Sequence, residues 1–213
     1  MSVLTQAYEY AASNPSQFLS ALEGHLLLVV VPLSIGLVVG LPLGLLSARS
    51  RTASALLING FNALRVIPSL AILFLAIPYF GLSFQSAAIA LTLLVMPPIL
   101  ISTDVAFRGI DPAIREAAFG MGMSPAQVLQ RVEIPLALPV IIAGIKTATV
   151  EVIASATLAA FIGAGGFGTF IVLGFSLYDN AILLVGAIPV ALLAIIAEVS
   201  LSNLQRSLEP PAN

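Results

Sequence analysis

Residues 111–139 read DPAIREAAFGMGMSPAQVLQRVEIPLALP, a stretch too polar to lie in lipid that separates two long apolar blocks. Of the 213 residues in the chain, 59% are hydrophobic and only 8% are charged, and the mean hydropathy is +1.10. These values lie far outside the range of soluble globular domains. The sequence therefore predicts an all-α integral membrane protein whose polar stretch lies in water on one side of the bilayer.

The composition also excludes several classes of function. The net charge is −2 and the eight Lys and Arg residues are dispersed, so no basic surface for nucleic acid is expected. The chain has no cysteine, which rules out disulfides, thiolate zinc sites and cysteine nucleophiles. With a single histidine it has no multi-histidine metal site, and we expect neither a metal nor a nucleic-acid partner.

Two short helices are predicted within the polar stretch. Asp111 followed by Pro112 is a helix start, because an acidic cap precedes a proline at the first helical position. Ser124 starts the second helix in a similar way, since its hydroxyl accepts an orphan backbone N–H. The expected break between the helices is a pair of glycines, and the expected stop after Glu133 is an Ile-Pro pair: Gly120, Gly122, Ile134 and Pro135.

The residue order of this stretch resembles the EAA motif of the permease subunits of binding-protein-dependent ABC importers. By composition alone the stretch would also suit an ordinary charged cytoplasmic loop. Val132 and Ile134 stand where isoleucine and leucine are usual in the motif. The resemblance implies a type I importer permease architecture, in which this loop is a coupling helix that docks in a groove of a cytoplasmic ATPase. The residues it assigns to that coupling are Glu116, Ala117, Ala118, Gly122, Ile134 and Pro135.

The rest of the chain divides into apolar runs. Residues 1–25 lack a basic start and a cleavage site, so they are interpreted as an outer-face or interfacial segment rather than a signal peptide. A single transmembrane domain is expected over 26–206, with a coupling loop at 108–135, an interfacial helix at 53–64 and a cytoplasmic tail at 207–213. Five runs are long enough to cross a bilayer, at about 26–47, 66–82, 86–107, 136–161 and 181–203.

The distribution of arginine predicts the orientation, because cytoplasmic loops are enriched in Lys and Arg. With five spans, an outer amino terminus and an inner carboxyl terminus, Lys146 is the only basic residue outside a cytoplasmic segment. By family resemblance the membrane is the plasma membrane of a bacterium or archaeon. The arginines expected inside are Arg49, Arg51, Arg65, Arg108, Arg115, Arg131 and Arg206.

A second glycine-rich segment, GAGGFG, formally matches the dinucleotide-binding pattern GxGxxG. That interpretation fails, because the pattern needs a preceding strand within a βαβ unit, whereas these glycines follow a membrane span. The surrounding residues 156–189, together with RVIPSLAIL at 65–73, resemble osmoprotectant permeases for glycine betaine, choline and carnitine, and more distantly methionine permeases. We expect a flexible outer gate, with an ordinary turn as the alternative, at Gly163, Gly165, Gly166 and Gly168.

Two ionisable residues fall within the fourth span. Such residues usually face a bundle interior or a water-filled cavity. Lys146 and Glu151 are five residues apart and so not on one helical face, and we expect no direct pair between them. Glu151 is expected to meet a facing helix or to line the pathway, whereas Lys146 either does the same or snorkels to the cytoplasmic side. His25 is expected at the membrane interface rather than as a ligand.

The resemblance implies an assembly of this chain with two ATPase subunits, a second permease copy or homologue, and an extracytoplasmic solute-binding protein. The chain lacks a Walker loop, so it is not expected to be an enzyme, and ATP and Mg²⁺ would be bound by the partner ATPase. An ion-coupled carrier is the first alternative, but no internal repeat is visible. A membrane-embedded hydrolase is the second, but it lacks a serine–histidine or paired-aspartate site at membrane depth. With no Trp and four Tyr for an aromatic cage, solute choice is expected to lie mainly outside this chain.

Overall fold

The computed structural model describes residues 2–209, and within that range every regular element is helical. This confirms the predicted all-α class. A π-helical turn, Leu129–Glu133, joins the seventh α-helix to the eighth, and a 3-10 helix, Ala156–Ile162, extends the eighth. The α-helices are α1 Val3–Ser13, α2 Pro15–Arg49, α3 Arg51–Val66, α4 Ser69–Phe80, α5 Phe84–Arg108, α6 Pro112–Gly120, α7 Pro125–Val128, α8 Ile134–Ser155, α9 Gly168–Leu177 and α10 Asn180–Leu208.

Four helical runs in the described residues are long and apolar enough to cross a membrane: α2, α5, the run from α7 to Ile162, and α10. The pair α3 and α4 forms a fifth if it is counted as one span bent by 96°. The bend has a local cause, because Ile67 precedes Pro68 and adopts an extended ψ of 124° instead of continuing the helix. The expected interfacial helix at 53–64 is thus α3, and the expected span at 66–82 is a helix of 12 residues.

The first spanning helix begins at Pro15, well before the expected span at Leu26. Proline is favoured at the first helical position, and α1 ends just before it at Ser13. The amino-terminal segment, expected to be an outer-face or interfacial stretch, is therefore helical from Val3 onward apart from Asn14, and α1 packs mainly against α10. It is held down by aromatic contacts, including an edge-to-face pair between Tyr10 and Phe170 with ring centroids 6.3 Å apart. At the other end, α10 continues to Leu208, so the expected tail at 207–213 begins inside a helix, and residues 210–213 lie outside the described range.

The predicted helix stop at Ile134 and Pro135 is wrong, because the chain passes through these residues without leaving helical geometry. Within the π turn the N–H of Ile134 donates to the oxygen of Leu129, one residue further back than in an α-helix. Pro135 follows directly in the first turn of α8, where the shifted hydrogen bonds of the π turn accommodate a residue without an N–H. The polar stretch is consequently continuous with the membrane helix that follows it.

Helix α5 lies at the centre of the bundle and packs against α2 on one side and α8 on the other. Small residues allow both close approaches. A Cβ added to Gly44 of α2 would lie 2.8 Å from the oxygen of Leu100, and one added to Gly144 of α8 would lie 2.8 Å from the oxygen of Pro98. Because apolar side chains gain little from leaving lipid, such close backbone packing is a main source of helix association in membranes.

We predict that Gly144→Val destabilises the detergent-solubilised protein by about 1–3 kcal/mol, because valine would overlap with Ser102 and the α5 backbone. The matched control is Gly60→Val in α3, where a Cβ would meet no atom within 4 Å. Thermal unfolding followed by circular dichroism measures the difference. Equal melting temperatures for the two variants would contradict the assigned packing of α8 on α5.

Candidate functional site

The residues 111–128, here called the knuckle, form two short helices between α5 and α8. The side chain of Asp111 caps α6 by accepting a hydrogen bond of 2.9 Å from the N–H of Ala113. Ser124 and Gln127 form a capping box at α7, with Ser124 N–H donating to the Gln127 side chain at 2.8 Å. Both helix starts therefore depend on local side chains, as the sequence predicted.

The turn between α6 and α7 depends on Gly122. Its N–H donates to the oxygen of Phe119 at 2.9 Å, and the N–H of Met123 donates to the oxygen of Ala118 at 3.2 Å. This pair of bonds is the Schellman arrangement that ends helices, and it requires a left-handed residue. Gly122 supplies it with φ of +81°. A residue with a Cβ would be strained there.

The knuckle exposes one face of α6 to solvent. Glu116 and Ala117 are exposed, as a docking surface requires, whereas Ala118 is only 2% exposed and packs inside the chain. Sequence reasoning placed both alanines at the contact with a partner, but only Ala117 is available in this conformation. It also missed three exposed apolar side chains of the same region, Ile114, Phe119 and Met121. The remaining motif residues, Ile134 and Pro135, are exposed on the first turn of α8.

A buried carboxylate joins the knuckle to the membrane helices. Glu133 is 2% exposed and forms ion pairs with Arg49 at the end of α2 and Arg115 of α6. The distance from Arg115 Nε to Glu133 Oε1 is 2.6 Å, and the Arg115 guanidinium also donates to the oxygen of Phe107 at 2.5 Å. These bonds connect α2, α5, α6 and the π turn through one acidic side chain.

A second buried carboxylate, Asp104, links α5 to α2. Asp104 accepts hydrogen bonds from the Ser47 hydroxyl at 2.6 Å and from Arg108 Nε at 3.0 Å. Arg108 in turn donates to the oxygen of Ser47 at 2.5 Å. The arginines that the sequence assigned to the cytoplasm thus include three structural ones, Arg49, Arg108 and Arg115.

Helix α8 carries an exposed stripe, here defined as Val140, Thr147, Glu151 and Ala154, where Glu151 is half-buried and the others are exposed. In the described part of the chain no side chain is hydrogen-bonded to Glu151. Arg65, one of the arginines that the sequence assigned to the cytoplasm, lies in the last turn of α3 beside the 96° bend.

Lys146 does not pair with Glu151, as expected from their spacing. Its Nζ instead lies 3.2 Å from Glu198 Oε1 and 3.1 Å from the Ser202 hydroxyl, both on α10. Sequence reasoning missed these partners, although Glu198 and Ser202 are four residues apart on the last span and so lie on one helical face. The pair ties α10 to α8 and makes snorkelling unnecessary for Lys146.

The glycine loop, residues 163–168, connects the 3-10 helix to α9. Gly163, Gly165 and Gly166 have φ of 70°, 83° and 79°, a region that L side chains rarely adopt. Gly168 is required for a different reason, because a Cβ there would lie 2.0 Å from the oxygen of Thr157. His25, which the sequence placed at the outer end of the first span, is packed inside the bundle against this loop with 0% exposure.

Comparison with known proteins agrees with this architecture. The family described as "Binding-protein-dependent transport system inner membrane component" matches residues 40–210. The chain is 42% identical to the carnitine transport permease protein OpuCB of Listeria monocytogenes, over 88% of this chain and 86% of that protein. It is 37% identical to the choline transport system permease protein OpuBB of Bacillus subtilis, over 95% of this chain and 93% of the relative.

Solved structures share the fold at lower identity. The MetNI methionine ABC transporter in an inward-facing conformation matches with a TM-score of 0.78 and 22% identity, over 92% of this chain and 99% of that chain. At this identity the likeness shows the fold alone. The family match nevertheless covers most of the described residues, including the knuckle, the exposed stripe and the glycine loop. The chain is therefore a multi-pass membrane protein of type I ABC importer permease architecture and belongs to the family of inner membrane components of binding-protein-dependent transport systems.

Proposed function

We propose that this chain is the permease subunit of an ATP-driven importer for a small quaternary-amine osmoprotectant such as glycine betaine, choline or carnitine. The observation that carries the proposal is the knuckle, a rigid, solvent-exposed helical element joined to the membrane helices by Glu133. The solute class is supported by relatives that are named for transport of choline, carnitine or glycine betaine and are 35–42% identical.

On the cytoplasmic side, the knuckle is proposed to dock in a groove of the ATPase subunit, which binds ATP and Mg²⁺. Glu116 offers a charged hydrogen-bond acceptor, Ala117 permits close approach, and Phe119 and Met121 supply apolar contact area. Because the π turn runs directly into α8, ATPase movement reaches the exposed stripe without an intervening flexible loop. ATP binding would thereby bias a two-state permease between inward-open and outward-open arrangements.

On the opposite side, the glycine loop is proposed as the outer gate, next to a docked solute-binding protein. In this proposal the amino terminus lies outside and the knuckle inside, and the arginines that surround the knuckle support that orientation. A second permease copy or homologue would complete the pathway against the exposed stripe of α8. In this arrangement Glu151, on the exposed stripe, faces the pathway, whereas Lys146 and Glu198 hold α10 in place.

A methionine-like amino acid is the second candidate solute. It rests on the more distant resemblance of residues 156–189 to methionine permeases, since the solved methionine transporter, at 22% identity, shows only the shared fold. An ion-coupled carrier would transport without an ATPase. Proteoliposomes that contain the permease, its ATPase and its binding protein separate these cases when the uptake of labelled glycine betaine, choline, carnitine and methionine is compared with and without ATP.

We predict that exchanging the binding protein for one of different solute specificity changes the solute that is imported. The physical reason is the shortage of cage-forming aromatics, since the chain has no Trp and four Tyr. Uptake of each labelled solute is measured with matched ATPase and permease. An unchanged preference after the exchange would assign solute selection to this chain instead.

We predict that Gly122→Val leaves the protein inserted but lowers solute-stimulated ATP hydrolysis and uptake together. Valine at φ of +81° would strain the turn by about 1–3 kcal/mol, which is comparable to a typical coupling free energy. The matched control is Gly120→Val, two residues away, where the backbone is helical and a Cβ meets no atom within 4 Å. Normal stimulation in the Gly122 variant would refute the assignment of the knuckle as the coupling element.

We predict that Glu151→Gln reduces uptake several-fold while the complex still assembles. Glutamine keeps the size of the side chain but removes a charge from the exposed stripe beside the proposed pathway. The control is Glu9→Gln, which makes the same change on the exposed face of α1. Uptake by the two variants is compared at equal amounts of assembled complex. Equal uptake rates would show that the charge of Glu151 does not contribute to transport.

A further inference from the structure

The single histidine of the chain occupies an unusual position. His25 of α2 is 0% exposed, and its Nε2 lies 3.2 Å from the oxygen of Ile153 near the end of α8. Because a carbonyl oxygen only accepts hydrogen bonds, Nε2 must carry the proton and donate it. In neutral imidazole this leaves Nδ1 as an acceptor, and Nδ1 has no hydrogen-bond partner among residues 2–209.

The glycine loop lies directly against this nitrogen. A Cβ added to Gly166 would be 3.2 Å from His25 Nδ1 and 3.4 Å from His25 Cα, so the loop is seated on α2 where only glycine fits comfortably. On the other side of the contact, a Cβ added to Gly24 would be 3.2 Å from the nitrogen of Gly166. The ring of Phe167 packs on the imidazole with a centroid distance of 5.5 Å. The glycine loop therefore packs directly against the side chain of His25.

The loop offers backbone donors close to this nitrogen. Phe167 and Gly168 stand at the start of α9, where the first N–H groups of a helix have no acceptor within the helix. Buried acceptors are normally paired, so the unpaired Nδ1 beside such donors needs an explanation. The loop also has room to shift, because a cavity of about 550 Å³ borders it on the side lined by Ser20, Gly24 and Thr169.

We propose that His25 is a positioning residue for the outer gate, and that Nδ1 accepts a hydrogen bond from a backbone N–H of residues 166–168 in one of two arrangements of the loop. In the arrangement described here the hydrogen bond to Nδ1 is not formed. When it forms, one imidazole links α2, the end of α8 and the glycine loop, and so couples the gate to the helix that continues from the knuckle. This inference rests on the proposed import function, whose failure would appear separately as an absence of uptake by the unaltered complex.

A direct test uses the fact that the chain contains one histidine. The permease alone is labelled with ¹⁵N-histidine, purified through a tag without histidine and combined with its unlabelled ATPase. Nitrogen NMR of this complex then shows one pair of imidazole signals, those of His25. The proposal predicts that the unprotonated Nδ1 signal moves between the nucleotide-free and ATP-bound states, in the direction of hydrogen-bond acceptance in one of them. The Nε2 signal should stay that of a protonated donor. An Nδ1 signal that is the same in both states would overturn the proposal.

Two substitutions distinguish the roles of the two ring nitrogens. His25→Gln retains a donor for the Ile153 oxygen but removes the Nδ1 acceptor, whereas His25→Asn retains an acceptor near the Nδ1 position. We expect the ratio of solute-stimulated to basal ATP hydrolysis to fall roughly fivefold or more in the Gln variant and to be largely retained in the Asn variant. A wild-type ratio in the Gln variant, or an equal loss in both variants, would contradict a role for Nδ1. If either variant fails to fold, the nitrogen signal of the unaltered protein still decides.

Discussion

The ion pairs of Glu133 with Arg49 and Arg115 are the contact on which the arrangement of the knuckle depends. Glu133 is 2% exposed, whereas the side chains of Arg49 and Arg115 are 46% and 25% exposed, so removing either arginine leaves a buried carboxylate with one partner fewer. The three residues belong to α2, α6 and the π turn, so these elements keep one relative position. The π turn then continues into α8 without a break, and the knuckle is a rigid extension of the helix that carries the exposed stripe.

This rigidity explains how a motif at one end of the bundle relates to groups at the other. The chain runs from Glu133 at the end of the π turn into α8, which carries Glu151 of the exposed stripe and then Ile153, whose oxygen accepts a hydrogen bond from His25 beside the glycine loop. Close packing through Gly44 and Gly144 holds α5 between α2 and α8, so the movement of one helix displaces its neighbours. Coupling between the knuckle and the glycine loop thus needs only a set of packed helices that can adopt two arrangements.

Much of the fold followed from the sequence because its signals are local. The apolar runs, the Asp111 and Ser124 caps and the glycine break at Gly122 each depend on residues within a few positions. The Ile134–Pro135 stop failed because a π turn shifts the hydrogen bonds around the proline. The contacts that define the site were not predictable, since Glu133 and Arg49 are 84 residues apart and Lys146 and Ser202 are 56 apart, and nothing in either segment indicates its partner.

The most direct test measures whether the knuckle and α8 move as one body. The natural chain has no cysteine, so spin labels can be attached at Ala113→Cys of α6 and Thr147→Cys of α8 in one permease copy of the complete transporter. The account predicts one narrow distance distribution that is the same in the nucleotide-free and ATP-bound states. A distribution that shifts or broadens when ATP binds would contradict it, because the knuckle would then move independently of the helix it is said to drive.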